Sequence, residues 1–231
     1  MVYFLDMNMA TNSSGFVSGT LIHSINGLIP IEKIQVGDLV LSKLGNGEGE
    51  TYYKRVINIF EFDEKEVWYV SYGLIEKRKE TDTCGSGFVV ITGNHPFWVE
   101  RSESWEVSDP IYEKQWVRAD QLRSGMILSL ADGRIAEVFM VQKIVRTITP
   151  NIGWLQVDDL PVGSIIDLTG DSPKGYPRDG MGWVTDELFG NDDVEWEDYE
   201  DHVWLRQKVY NIEVESQSAY AVDLLGLIVK S

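Results

Sequence analysis

Cysteine is almost missing from this chain: Cys84 is the only one in 231 residues. A lone thiol excludes an internal disulfide and supplies no metal-ligand spacing. Histidine is scarce as well, and His23, His95 and His202 are too scattered in sequence to define a metal site, so no metal is expected. Positive charge is thin: 20 Lys and Arg stand against 37 Asp and Glu, a formal net charge of −17. Binding nucleic acid through its phosphates needs a basic face, and this composition argues against that class of partner. No run of 18 apolar residues occurs, so no membrane-spanning helix is expected. The opening "MVYFLDMNMATNSS" has neither a basic leader nor a long apolar core, so it reads as no signal peptide, and localisation stays open, export of a parent protein included. Gly-x-Ser-x-Gly and paired-carboxylate motifs are missing too, which leaves little support for a hydrolase acting on separate substrates. Nor is any cofactor expected.

What is present is globular and β-rich. Hydrophobic residues make up 43%, and 8 Trp, 10 Tyr and 8 Phe provide large core anchors. "GTLIHS" runs into Asn26-Gly27, a strong hairpin signal, and then into "LIPIEKI". "VINIFEF", "EVWYVSY", "FVVIT" and "VYNIEVE" are short β-branched and aromatic runs with partial period-2 alternation. Turn clusters such as "LGNGEGE", "SYG" and "ADG" separate several of them, and the best helical candidate is a turn or two around "EKIQVGD". The expectation is an all-β protein of many short strands.

An internal repeat is visible. "WVRADQLRSGMILSLAD" from Trp116 aligns without a gap on "WLQVDDLPVGSIIDLTG" from Trp154. Trp116/Trp154, Asp120/Asp158, Leu122/Leu160, Gly125/Gly163, Ile127/Ile165 and Leu130/Leu168 coincide. "IEKIQVGDLVLS" at Ile31 shares the core of the pattern, with aliphatic Ile34, Gly37 and then an apolar strand. The unit reads as a short turn ending on a glycine with free positive φ and feeding a core strand. Three copies point to duplication or to shared β-turn grammar.

Acid is concentrated late in the chain. Between Arg178 and Arg206 there are ten Asp and Glu and no Lys or Arg, densest in "NDDVEWEDYEDH". This segment reads either as a solvated loop or insertion, or as a docking face for a basic protein partner or a mimic of an acidic ligand. Its aromatics Trp183, Phe189, Trp196 and Trp204 are expected to pack inward as an ordered lobe.

Three ordered blocks carry a family resemblance. "GFVSGTLIHSINGLIPIEKIQVGDLVLSK" closely resembles the opening block of hedgehog/intein (Hint) domains, and "VITGNHPFWV" resembles their Thr-x-x-His block. "VYNIEVESQSAYAVDLLGLIVKS" resembles their two closing blocks, and "GEGETYYKRV" is similar to Hint domains of bacterial intein-like and polymorphic-toxin proteins. The resemblance divides the chain into an N-terminal flank or tag, 1–14, and a Hint domain over 15–231 with an insertion at about 150–205. It implies a flat all-β horseshoe with pseudo-twofold symmetry that brings both chain ends to one centre. It also implies autocatalytic, self-processing chemistry related to protein splicing. In that chemistry a nucleophile at the first position attacks the preceding carbonyl by an N-to-S acyl shift, and flanking segments of a larger precursor are the partners in cis. By the same resemblance His95 takes the family's proton-donating role and Thr92 the supporting one. Pro96 would stop the strand and fix the imidazole. If the missing thiol were restored at position 15, cleavage should quicken toward mildly alkaline pH until His95 loses its useful proton.

The pattern then breaks. The family opens on cysteine or serine, whereas Gly15 stands there and has nothing to attack with. Ser14 is out of register by one, which in an extended strand turns its side chain to the other face, and Ser18 sits inside the motif as a small packing residue. Splicing relatives end on His-Asn; here Lys230-Ser231 ends the chain and Ser231 cannot cyclise as asparagine does. Ser218 occupies a frequent histidine position before Tyr220, and Asn211 a frequent aspartate position. Either Gly15 is an engineered replacement, or the domain is a natural degenerate copy. A non-catalytic scaffold presenting the acidic lobe is the alternative to a self-processing domain.

Overall fold

The computed structural model describes residues 13–44, 49–75, 85–102, 111–156, 162–176, 182–183 and 204–230. The first half comprises β1 (Phe16–Val17), β2 (Leu21–Ser24), β3 (Gly27–Pro30), β4 (Leu39–Lys43), β5 (Tyr52–Leu74) and β6 (Ser86–Thr92). Next come β7 (Pro96–Ser102), β8 (Glu113–Arg118), β9 (Met126–Ser129), β10 (Ile135–Lys143) and β11 (Val145–Arg146). The remainder is β12 (Ile152–Gln156), β13 (Val162–Asp167), β14 (Lys174–Tyr176), β15 (Gly182–Trp183), β16 (Arg206–Val214), β17 (Ala219–Val222) and β18 (Leu227–Val229). Thirteen strands form one sheet, ordered β16-β1-β6-β5-β10-β9-β7-β18-β17-β4-β2-β3 with β8 on β7, and β11 to β15 form a second sheet of five. The all-β reading holds.

Two of the expected short runs are one strand. "VINIFEF" and "EVWYVSY" both lie within the 23 residues of β5. At about 3.3 Å per residue a straight strand of that length would outrun a small domain, so it must bend. Glu64, at φ 52°, lies between the two apolar runs. β5 therefore serves β4 with residues 52–55, β16 with 56–66, and β6 and β10 with 67–74.

Alternation sorts the central strands between two cores. Phe16, Val89, Ile91, Ile212 and Val214 enter the main core, while Val17, Val90 and Val209 face the other way. There they meet Ile144, Leu155, Ile166 and Leu205. β1 and β6 are therefore buried on both faces, which is why "FVVIT" is continuously apolar where a one-sided strand would alternate.

The pseudo-twofold symmetry is legible in the hydrogen bonds. Val17 to Thr20 closes a turn (Thr20 N–H to Val17 O, 3.3 Å) and leads into β2, β3, a 3-10 turn at Ile31–Lys33, Gly37, β4 and β5. Thr92 to His95 closes a turn (His95 N–H to Thr92 O, 3.2 Å) and leads into β7, β8, a 3-10 turn at Ala119–Gln121, Gly125, β9 and β10. Ile31 N–H donates to Thr20 O at 2.8 Å; Ala119 N–H donates to His95 O at 2.9 Å. Gly37 (φ 103°) and Gly125 (φ 85°) each donate at 2.9 Å to the following long strand, at Val56 O and Val138 O. Both glycines sit where a left-handed φ costs other residues energy.

The gapless match of Trp116 with Trp154 is a different matter. Gly163 lies inside β13 without a positive φ. A Cβ there would stand 1.9 Å from Leu155 O and 2.6 Å from the Trp154 ring, so this glycine serves close packing and not a turn. The longer identity is shared grammar, and the shorter match at Ile34 and Gly37 is the structural repeat.

Of the acidic segment, β15 and the stretch from Trp204 are described. Trp204 is half-buried, with Lys143 Nζ 4.4 Å over its ring. Phe189, Trp196 and the Trp183 side chain lie outside the described residues, as does most of the acidic run.

Candidate active site

Three separate parts of the fold meet at the start of β1. Phe16 pairs with Ile91 of β6 on one side and with Tyr210 of β16 on the other, so residues 14 and 15 enter between two strands. Gly15 is held at both ends of its own unit. Its N–H donates to Thr92 Oγ1 at 3.0 Å, and its carbonyl accepts from Thr92 N–H at 2.9 Å. Thr92 is 4% exposed, so both bonds are shielded from water.

His95 follows in the same turn. The turn is fixed from outside by Asp120 N–H on Gly93 O, 2.8 Å, and by Ala119 N–H on His95 O. A Cβ on Gly93 would stand 2.6 Å from Trp68 Nε1, so only glycine fits that corner. The imidazole is fully buried and stands edge-on to Phe16, with ring centroids 4.6 Å apart. Among the described residues neither Nδ1 nor Nε2 has a hydrogen-bond partner. Burial without a counter-charge disfavours the imidazolium and lowers the pKa of His95 to about 3. The ring is therefore a neutral imidazole at physiological pH. Pro96 does not end a strand, as the sequence suggested; it begins β7, a position where a missing N–H costs nothing.

Asn211, in β16, approaches from the other side. It is 1% exposed, and its Oδ1 accepts from Tyr220 O–H at 2.8 Å and from Ile212 N–H at 2.8 Å. Its Nδ2 donates to Ser14 Oγ at 3.2 Å. Burial raises the Tyr220 pKa far above the ordinary phenol range, so the phenol remains a donor.

The sequence candidates thus divide. Gly15 is bonded to Thr92, His95 closes the same turn with its ring against Phe16, and Asn211 reaches Ser14. Ser231 lies outside the described residues, but Lys230 N–H donates to Pro96 O at 3.2 Å, so the chain's last described residue runs beside the residue after His95. Ser218 spends its hydroxyl on Glu215 O, 2.9 Å, as a local cap. Ser18 is exposed in the turn after β1. Ser14 and Tyr220 were missed as members of the cluster. The one-residue offset of Ser14 from the motif concealed that its side chain turns toward Asn211. Among the described residues no three His, Cys, Asp or Glu side chains converge on a metal position.

No family model and no curated protein sequence matches the chain. Solved structures do match it in fold. A bacterial intein-like domain from Clostridium thermocellum covers 94% of this chain and 98% of its own length at 18% identity and a TM-score of 0.50. A DnaB intein from Synechocystis sp. PCC 6803 covers 95% and 99% at 10% identity and a TM-score of 0.51. The Ssp DnaB mini-intein variant M86 covers 95% and 96% at 10% identity and a TM-score of 0.52. The chain has the intein-like Hint fold.

Proposed function

We propose that this Hint domain is built for self-processing at the peptide bond between Ser14 and Gly15, and that it is arrested because position 15 carries no nucleophile. One observation carries the reading. Thr92 holds the N–H of the Ser14–Gly15 peptide bond and also the Gly15 carbonyl beyond it, in the turn that carries a buried imidazole whose two nitrogens have no partner among the described residues. Buried polar atoms without partners are rare in folded proteins and invite a functional explanation. With a thiol at position 15, the sulfur would attack the carbonyl carbon of residue 14. The C–N bond would break, the released amine nitrogen would take a proton, and an external thiol or water would open the thioester. Thr92 would hold the amide through this rearrangement, and His95 would serve the leaving nitrogen as a neutral N–H donor. Flanking polypeptide in cis is the substrate.

The test is Gly15→Cys in excess thiol, followed by mass spectrometry. Release of residues 1–14 is expected, slowly, because the site is tight: a Cβ at position 15 stands 2.6 Å from Tyr210 O, so β1 must shift against β16. Overpacking of that kind costs about 1–3 kcal/mol. The sequence reading expected the rate to fall once His95 deprotonates at alkaline pH. With the pKa near 3, that limb lies far below neutrality, and the rate should simply rise toward the thiol's own pKa of about 8.5. Adding His95→Ala should slow release at least about tenfold. An intact Gly15→Cys chain in excess thiol would refute the reading.

The same close approach of Tyr210 favours a second reading, in which glycine is native to this backbone and the domain is a non-catalytic scaffold. Its acidic segment would then meet a basic partner protein. Under that reading Gly15→Cys lowers stability and releases nothing.

A further inference from the structure

The residue before the junction has a seat of its own. Ser14 is 1% exposed, and its Oγ accepts from Asn211 Nδ2 at 3.2 Å. The amide that makes this bond is not free to turn. Two donors, Tyr220 O–H and Ile212 N–H, converge on Asn211 Oδ1, and that assigns the oxygen to their side and the NH₂ group to Ser14. Tyr220 is itself fully buried. Position 14 is also enclosed, where the chain enters between β6 and β16. The backbone beside it runs against β16 so closely that Gly15 has no room for a Cβ.

None of this is required by the acyl shift. The bond proposed to break involves only the carbonyl of residue 14 and the nitrogen of residue 15; the Ser14 side chain takes no part. Yet one buried amide, oriented by a buried phenol, is arranged to meet it. We infer that Asn211, oriented by Tyr220, forms a specificity subsite that selects a small hydrogen-bond acceptor, serine first, at the residue preceding the junction. This inference rests on the self-processing reading. Alanine at position 14 leaves the Asn211 N–H buried and unpaired, which sites built around a hydrogen bond penalise strongly. Valine or leucine forces the strands apart. Asn211 here is a positioning residue for the flank and is not assigned the chemistry.

Two arms test it. In the Gly15→Cys chain, thiol-induced release is timed for Ser14, Ser14→Ala, Ser14→Val and Ser14→Leu. Alanine should be slower than serine by about tenfold, and valine and leucine slower still. Asn211→Ala should bring the serine-to-alanine rate ratio close to one, and Tyr220→Phe should reduce it by letting the amide turn. A purely structural role for Asn211 would slow both chains equally and leave the ratio unchanged, and that result overturns the subsite. So does a released fragment ending at Ser13, which would make Ser14 itself the nucleophile. The second arm uses the unreactive Gly15 chain. Urea unfolding of Ser14→Ala, Asn211→Ala and the double variant should be non-additive by at least about fivefold in the unfolding constant. If Gly15→Cys never cleaves, the self-processing reading fails, while this cycle still decides the seat: non-additivity supports it and additivity removes it.

Discussion

Lowering the pH is the sharpest probe of His95. In the unfolded chain its ring titrates near the ordinary 6.5; in the folded chain burial holds the pKa at about 3. Above pH 6.5 both states are neutral there and nothing is gained or lost. Between those values the unfolded state binds a proton that the folded state refuses, so stability rises with pH across this window and is lost as pH falls below 6.5. The slope approaches about 1.4 kcal/mol per pH unit, and the whole shift amounts to about 5 kcal/mol by pH 3. Carboxylates also titrate at the lower end, and with 37 of them the acid limb would be crowded. From pH 7 to pH 5 they remain largely ionised, and His95 alone should remove about 2 kcal/mol. The assay is urea unfolding at pH 7, 6 and 5 for the wild-type chain and for His95→Gln, which has no proton to gain. The wild type should lose about 2 kcal/mol more than the variant over that range. Equal losses, or an NMR titration of the His95 ring near 6.5 in the folded protein, would refute the buried neutral imidazole and with it the neutral N–H hydrogen bond assigned to that ring.

Other perturbations have definite outcomes. Tyr220→Phe leaves Asn211 Oδ1 with one donor in place of two and should cost about 1–2 kcal/mol in urea unfolding. Gly37→Ala meets nothing within 4 Å, so its cost is that of the left-handed φ alone, about 1–2 kcal/mol. Gly163→Ala drives a methyl into Leu155 O and the Trp154 ring and should cost more than Gly37→Ala, about 3 kcal/mol or above; a smaller loss would show that the second sheet yields locally.

The sequence spoke clearly where side-chain type and local spacing determine structure. A continuous apolar run marked β6 because both faces are covered, and the hairpin between β2 and β3 falls where Asn26-Gly27 signalled it, although its two loop residues are Ile25 and Asn26 and Gly27 (φ 100°) opens β3. Thr92, His95 and Gly15 were legible as neighbours because short ordered motifs encode them, and the structure bonds Gly15 to Thr92 in the turn that His95 closes. The misses come from long-range geometry. Nothing in "VINIFEFDEKEVWYVSY" announces that Glu64 will adopt positive φ and let one strand continue through a polar interruption. Ser14 was set aside by an argument from register parity, but β1 begins only at Phe16, so strand alternation does not govern the residue two places earlier. Gly163 and Gly125 look alike in sequence because packing against an indole and adopting positive φ both select glycine.

The pseudo-twofold relation explains where chemistry could settle in this fold. Val17–Thr20 and Thr92–His95 are counterpart turns, each closing from its first carbonyl to its fourth N–H and each anchoring a 3-10 turn through its fourth carbonyl. In the first turn the fourth residue is Thr20, and its hydroxyl is spent on Val17 O at 2.9 Å, a self-contained cap. In the second the fourth residue is His95, whose ring nitrogens find no partner among the described residues. The first residue differs in the same sense. Val17 turns an apolar side chain to the second core, while Thr92 offers its hydroxyl to the Gly15 amide. The backbone device is common to both halves. The side chains on one copy are satisfied locally, and those on the other are left to serve a strand from the opposite half. A centre made this way needs both halves folded before it exists, so the Ser14–Gly15 bond is gripped only once β16, β1 and β6 have come together.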